Sequence, residues 1–193
     1  MLYSADETQM SATNAKPVGV IRQTKLQMTY KEFIGQFGRH IQELTYENQF
    51  NLAISVCKKL YPDYKDFYLQ NSWGDPDGLL DAINYCETFF KSGGNPDLLK
   101  EYAAKVFENC PHSDDFDNAI YAINASGAVH GTLGFLLDKN SKHINEIGTY
   151  LTDTIDSKIQ DDNEDLTEEE IDAHPLMTEA RTYLLSGTYK EGV

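Results

Sequence analysis

Basic residues are scarce in this sequence. Lys and Arg number 16 against 31 Asp and Glu, a formal net charge of −15. Phosphate recognition needs clustered Lys and Arg, so direct nucleic-acid binding is not expected. The natural complement is a basic protein surface or a cation. Cysteine is sparse too. Cys57, Cys86 and Cys110 lie 29 and 24 residues apart with no Cys-x-x-Cys. That odd set without ligand spacing reads as reduced thiols rather than a disulfide framework or a zinc site. No stretch approaches 18 consecutive apolar residues, so no membrane span is expected. The N-terminus has no basic segment followed by an apolar run, so no signal peptide is expected. These absences give the expectation of a cytoplasmic protein. Gly-x-Ser-x-Gly, a Walker loop and His-Glu-x-x-His are also missing.

No useful segment alternates as a strand should, whereas helical spacing recurs throughout. A chain of 193 residues builds one core by default. Residues 1–28 are polar and mixed and read as a flexible tail or a strap; 29–190 read as a single helical domain. Thr29 and Glu32 form a capping box, with Met28 and Phe33 in the staple positions. A helix is expected over about 30–45. Phe50, Ala53, Ile54, Cys57 and Leu60 mark a second, stopped by Pro62, and Tyr64, Phe67 and Tyr68 a short third. Cys57 and Cys86 sit in such patterns as small hydrophobes. Asp75-Pro76 and Asn95-Pro96 are each a cap followed by proline at the first helical position. Gly93-Gly94 ends the first of those two helices.

Ser113 is expected to cap the next helix, with Asp114 and Asp115 in its first turn. That helix runs to about Lys139, and Gly127, Gly131 and Gly134 let neighbours approach closely. His130 on it reads as a packed or satisfied histidine rather than a base. Ser141 starts a helix carrying Ile144, Ile147, Leu151, Ile155 and Ile159. Thr167 and Glu170 form a second capping box, Pro175 breaks and restarts the helix, and Gly187 stops it. The fold expected is all-α, a single-domain antiparallel up-and-down bundle of seven to eight helices.

Three segments resemble a known family: Tyr61-Pro62-Asp63-Tyr64 with Phe67, Trp73-Gly74-Asp75, and Pro111-His112-Ser113-Asp114-Asp115-Phe116-Asp117. Leu166–Pro175 is similar as well. Together, over roughly 33–187, the chain resembles the YjaG-like family of bacterial proteins, and the Pro-x-x-Asp-Asp-Phe-Asp motif is the most specific part. The resemblance implies an all-helical up-and-down fold. It implies no activity, because that family is one of unknown function.

Helix parity supplies the sharpest expectation. If neighbours run antiparallel, Trp73-Gly74-Asp75, the 112–117 segment and the acidic 161–170 loop gather at one pole. Eight of the twelve residues in 161–172 are acidic and none is basic. Three helix starts there would add positive partial charge, answered by Asp75, Asp114, Asp115, Asp162 and Asp165. Trp73, Asp75, Ser113, Asp114, Asp115 and Asp117 are therefore the candidate ligand-binding residues; catalytic residues are not identifiable. No cofactor or metal site is expected, with Asp75, Asp114 and Asp115 as the carboxylates that would hold a divalent cation. Asp161, Asn163, Asp165, Thr167 and Asp172 mimic positions of a calcium-binding loop, but Leu166 replaces its glycine and Asp172 its bidentate glutamate. They read better as a solvated acidic loop feeding a capped helix. Tyr61, Tyr64, Phe67, Tyr68 and Trp73 read as core and rim packing, or as a pocket for a flat ligand.

The leading functional expectation is a non-catalytic interaction protein whose acidic pole binds a basic protein partner. A homodimer is a further expectation. The alternative is a metal-dependent hydrolase using Asp75, Asp114, Asp115 and Asp117.

Overall fold

The computed structural model describes residues 28–186. The expected tail before Met28 and the stop at Gly187 lie outside the described residues. Eight helices, and no strand, occupy the described residues: α1 (Tyr30–Glu43), α2 (Tyr46–Asn71), α3 (Pro76–Ser92), α4 (Pro96–Glu108), α5 (Ala119–Asp138), α6 (Lys142–Asp162), α7 (Glu168–Ala173) and α8 (Pro175–Leu185).

Local chemistry sets most of their ends. The Thr29 and Thr167 hydroxyls accept from the Glu32 and Glu170 amides, and both glutamates reach back to complete capping boxes. Asp75 and Asn95 cap α3 and α4, each with proline at the first position. Gly93 closes α3 at φ 71°, a left-handed value that glycine adopts without Cβ strain.

Three boundaries differ from the sequence expectation. Pro62 does not end a helix; α2 runs through it for 26 residues. Pro62 and Lys58, whose carbonyl loses its partner, both lie on the exposed side, where water can satisfy that group. The buried Cys57, Leu60, Tyr64 and Phe67 hold α2 to the core on either side. The first helix ends at Glu43, because Thr45 caps α2 by accepting from the Asn48 amide at 3.2 Å. Ser113 does not cap α5. Residues 113–115 form a turn, and α5 starts at Ala119 after Asn118.

α5 is the axle of the bundle, packing against α2, α4 and α6 most heavily and also α3. It is long and apolar enough to cross a membrane, but most of it is buried among the other helices, as in a core helix. Its glycines seat α6. A Cβ on Gly127 would stand 2.6 Å from the Tyr150 ring, one on Gly131 3.1 Å from Ile147, and one on Gly134 2.9 Å from the His143 ring. His130 is exposed rather than packed, because it lies off the faces that meet α2, α4 and α6. Across the other face of α6, Gly148 admits Phe37, whose ring atom would lie 2.1 Å from an added Cβ.

Gly148→Ala should therefore destabilise by roughly 1–3 kcal/mol through overpacking. Gly35→Ala, whose Cβ meets nothing nearer than Arg39 at 3.7 Å, should stabilise by roughly 0.5–1 kcal/mol through helix propensity. Urea unfolding of both variants checks the pair.

The boxes also carry a pH signature. The Thr29 and Thr167 amides hold Glu32 and Glu170 below their ordinary 4.5. A depressed carboxylate stabilises the fold fully above its unfolded value and loses that contribution as pH falls through the folded one. The α1 and α7 N-termini should thus loosen below about pH 4.5, read as amide shifts of residues 29–32 and 167–170 in an NMR titration.

Candidate functional site

The Tyr64 hydroxyl ties the expected pole together. It donates to the Asn109 carbonyl at 2.8 Å and accepts from the Asp75 amide at 3.1 Å. Gly74 passes over it at φ 102°, where a Cβ would lie 2.6 Å from the oxygen. Next to it, Trp73 meets Phe67 at 6.3 Å and Phe116 at 5.8 Å, and Phe67 meets Phe116 edge-on at 5.2 Å. Seating Phe116 in this cluster is what turns the chain at 113–117 before α5 begins. Asn118 bridges Gln70 at 2.7 Å and Asn71 at 3.0 Å instead of capping α5. Tyr121 on α5 donates to Asp161 at the end of α6 at 2.5 Å. Burial first, then Asp161, pushes the Tyr121 hydroxyl upward, so it stays protonated as the donor.

The 73–75 turn, the 112–117 turn and the acidic loop therefore share one end of the bundle. Three helix starts gather there, as helix parity predicts. The starts of α3, α5 and α7 are accompanied by the C-termini of α2, α4 and α6, whose carbonyl ends offset the positive partial charge.

Each candidate side chain has a distinct surrounding. Asp75 accepts from the Gly78 amide at 2.9 Å as a helix cap. Ser113, Asp114, Asp115 and Asp117 are exposed. Asp114 stands 3.6 Å from the exposed His112. Among the described residues, no three His, Cys, Asp or Glu side chains stand close enough together to hold a metal ion. The calcium-loop mimic is spent otherwise, since Thr167 caps α7 and Asp172 pairs with Arg181. Of the aromatic set, Tyr64 and Phe67 are buried, Tyr61 and Trp73 pack on the core and Tyr68 is exposed. The void beside Tyr64 and Asp75 measures about 10 Å³, barely room for a water.

The thiols are not poised as nucleophiles. Cys57, 3.2 Å from the Thr132 hydroxyl, is pushed up to about 12 by burial. Burial also raises Cys86 and Cys110.

A larger cavity, of about 370 Å³, opens between α1, α6, α7 and α8. Tyr30, Ile171 and Met177 give it apolar walls; Asp153, Asp156, Glu168, Asp172 and Arg181 supply charge. Arg181 is 4% exposed. It pairs with Asp172 at 2.6 Å, donates to the Met28 carbonyl, and lies over the Phe33 ring at 5.4 Å. Asp172 also accepts from the Tyr30 amide at 3.1 Å, so it joins α1, α7 and α8. Arg181 Nε and Asp156 Oδ1, both closed off from solvent, have no hydrogen-bond partner. Burial, then the neighbouring Asp156, raises Asp153 above the usual carboxylate range. The signal for this cavity is in α8, where a charged Arg181 shares the buried stripe of Met177, Ala180 and Leu184.

A family model described as a protein of unknown function, DUF416, matches residues 36–184. This chain belongs to the DUF416 family. A crystal structure of a DUF416 family protein from Shewanella baltica OS155 is similar in fold, with a TM-score of 0.65 and 24% identity over 77% of this chain and 81% of that one. Comparison with the curated proteins gives no match. A DUF416 family of unknown function agrees with the resemblance at that coarser level.

Tyr64→Phe should cost roughly 1–3 kcal/mol, because it leaves the Asn109 carbonyl and the Asp75 amide without their shared partner. Thermal unfolding of the variant, with Tyr68→Phe as an exposed control, checks this.

Proposed function

We propose that this DUF416 protein, narrowed by its Pro111–Asp117 motif to the YjaG-like group, is a non-catalytic interaction protein of the bacterial cytoplasm. Its acidic end engages a basic protein surface. One observation carries the reading: Asp115, Asp117, Asp162, Glu164 and Asp165 form no ion pair with another described residue. At the opposite end Lys91, Lys139 and Lys142 accompany Asp97, Asp138 and Glu146, so charge there is mixed. Unneutralised carboxylates on one end steer a basic partner and fix its orientation. A second copy of the chain would bring like charge against like at this end, so the partner is a different, basic protein. The metal-dependent reading gains nothing from carboxylates that cap helices or stand apart.

Capture of partners on the immobilised chain should fall steeply between about 0.1 M and 1 M salt, as the screening length shrinks from about 10 to 3 Å. It should also fall in the triple variant Asp114→Asn, Asp115→Asn, Asp117→Asn but not in Glu43→Gln, Glu47→Gln, Glu146→Gln at the other end. Capture indifferent to salt, or equally weakened by both triple variants, would refute the reading.

A further inference from the structure

The chain enters the described fold at the edge of the cavity between α1, α6, α7 and α8. Arg181, one of the cavity's walls, donates to the Met28 carbonyl, and the Tyr30 amide donates to Asp172 at 3.1 Å. Those two contacts fix the point at which the preceding residues arrive. The walls they arrive at are acidic and apolar. Asp172 is paired with Arg181 at 2.6 Å, whereas Asp153, Asp156 and Glu168 form no ion pair with another described residue. Tyr30 lines the cavity and is half exposed, and Ile34, one turn along α1 from it, is 37% exposed. Helical positions four apart share a face, so these two side chains offer one apolar strip beside the carboxylates.

The residues that arrive there have the complementary chemistry. Residues 16–27, which precede the described part, carry Lys16, Arg22 and Lys25 and no Asp or Glu, together with Val18, Val20, Ile21 and Leu26. The whole chain holds 31 acidic and 16 basic residues, so a run of this sign is set apart from the rest. An extended chain covers about 3.3–3.6 Å per residue. From Met28, Lys25 therefore reaches about 10 Å and Arg22 about 20 Å, enough for both to meet the cavity. We propose that residues 16–27 dock across this cavity in the same molecule, with Arg22 and Lys25 against Asp153, Asp156 and Glu168, and with their aliphatic side chains over Tyr30 and Ile34. Opposite charges fix the register of such a contact. Attachment at Met28 gives the segment an effective concentration on the order of mM, against which a free partner has to compete. A second copy offers the same segment only at its concentration in solution, and brings a net charge of −15 with it. The docking uses none of the residues at the acidic end and does not depend on the protein-binding reading.

Carbodiimide cross-linking of the full chain tests the docking, because the reagent joins an ammonium to a carboxylate only where the two touch. Unlabelled and heavy-nitrogen-labelled protein are mixed, and the linked peptides are read by mass spectrometry. Lys158 and Asp63, 2.6 Å apart, are the internal standard. Lys25 should join Asp153, Asp156 or Glu168, and each linked pair should carry a single label. The proposal is overturned when the standard forms and Lys25 joins none of the three. Linked pairs that mix the labels overturn it too, by assigning the cavity to a second copy. Amide hydrogen exchange gives a reading that does not depend on the reagent. Arg22→Glu with Lys25→Glu should speed exchange over residues 18–26 about threefold or more, the scale of two weak ion pairs. Asp153→Asn with Glu168→Gln, on the cavity side, should do the same. Lys65→Glu with Lys142→Glu, charge-matched and exposed elsewhere, should leave those rates unchanged. Equal rates in all three double variants, or rates in the unaltered chain equal to those of an isolated 16–27 peptide, would also sink the proposal.

Discussion

The bundle depends on one steric constraint, the burial of most of α5 among its neighbours. A helix surrounded on several sides cannot carry large side chains everywhere, because its neighbours need its surface. α5 meets this with Ala122, Ala125, Ala128, Gly127, Gly131 and Gly134, against which α2, α4 and α6 lie closely. The few buried polar groups are mostly matched: Asn124 donates to Thr154 at 3.1 Å, and Thr132 donates to the Ala128 carbonyl at 2.9 Å. The glycine seam fixes where α6 lies, and α6 in turn shapes both candidate surfaces. Its last turn presents Asp161 to Tyr121, and its outer face presents Asp153 and Asp156 to the cavity. Dense packing in the middle thus places the charge at the end and on the flank.

Much of the fold was legible because the information was local. Thr29, Asp75, Asn95, Thr167 and Pro175 mark helix starts through their own side chains or missing amide hydrogens, and no distant residue need be known. Pro62 and Ser113 could not be read this way. Whether a proline interrupts a helix depends on whether its orphaned carbonyl faces water and whether the flanking turns are held by a core. Whether a serine caps depends on where the chain must be three residues later, and here Phe116 is bound to Phe67 and Trp73. Both answers lie in contacts far apart in sequence.

The same divide separates the two candidate sites. The acidic end followed from counting reversals of the chain, a topological inference that needs no side-chain detail. It placed Trp73, Asp75 and the 113–117 turn together, but could not say that Phe116 would pack on Phe67 and Trp73 and move the start of α5 to Ala119. The cavity was not legible, because its walls come from four helices spread over Tyr30 to Arg181. Only the charged residue in the apolar stripe of α8 hinted at a buried ionic centre.

One wall of that cavity is built unlike the rest of the molecule. α7 has six residues and none of them is buried. It is held by its capping box at one end and by the Asp172–Arg181 pair at the other. Local opening free energy tracks buried apolar contact, so what resists opening of α7 is mainly the Asp172–Arg181 pair and not the α5 core. Its amides should therefore exchange with solvent by a local route while those of α5 await global unfolding, so that deuterium uptake would run on a fast and a slow clock in the same bundle.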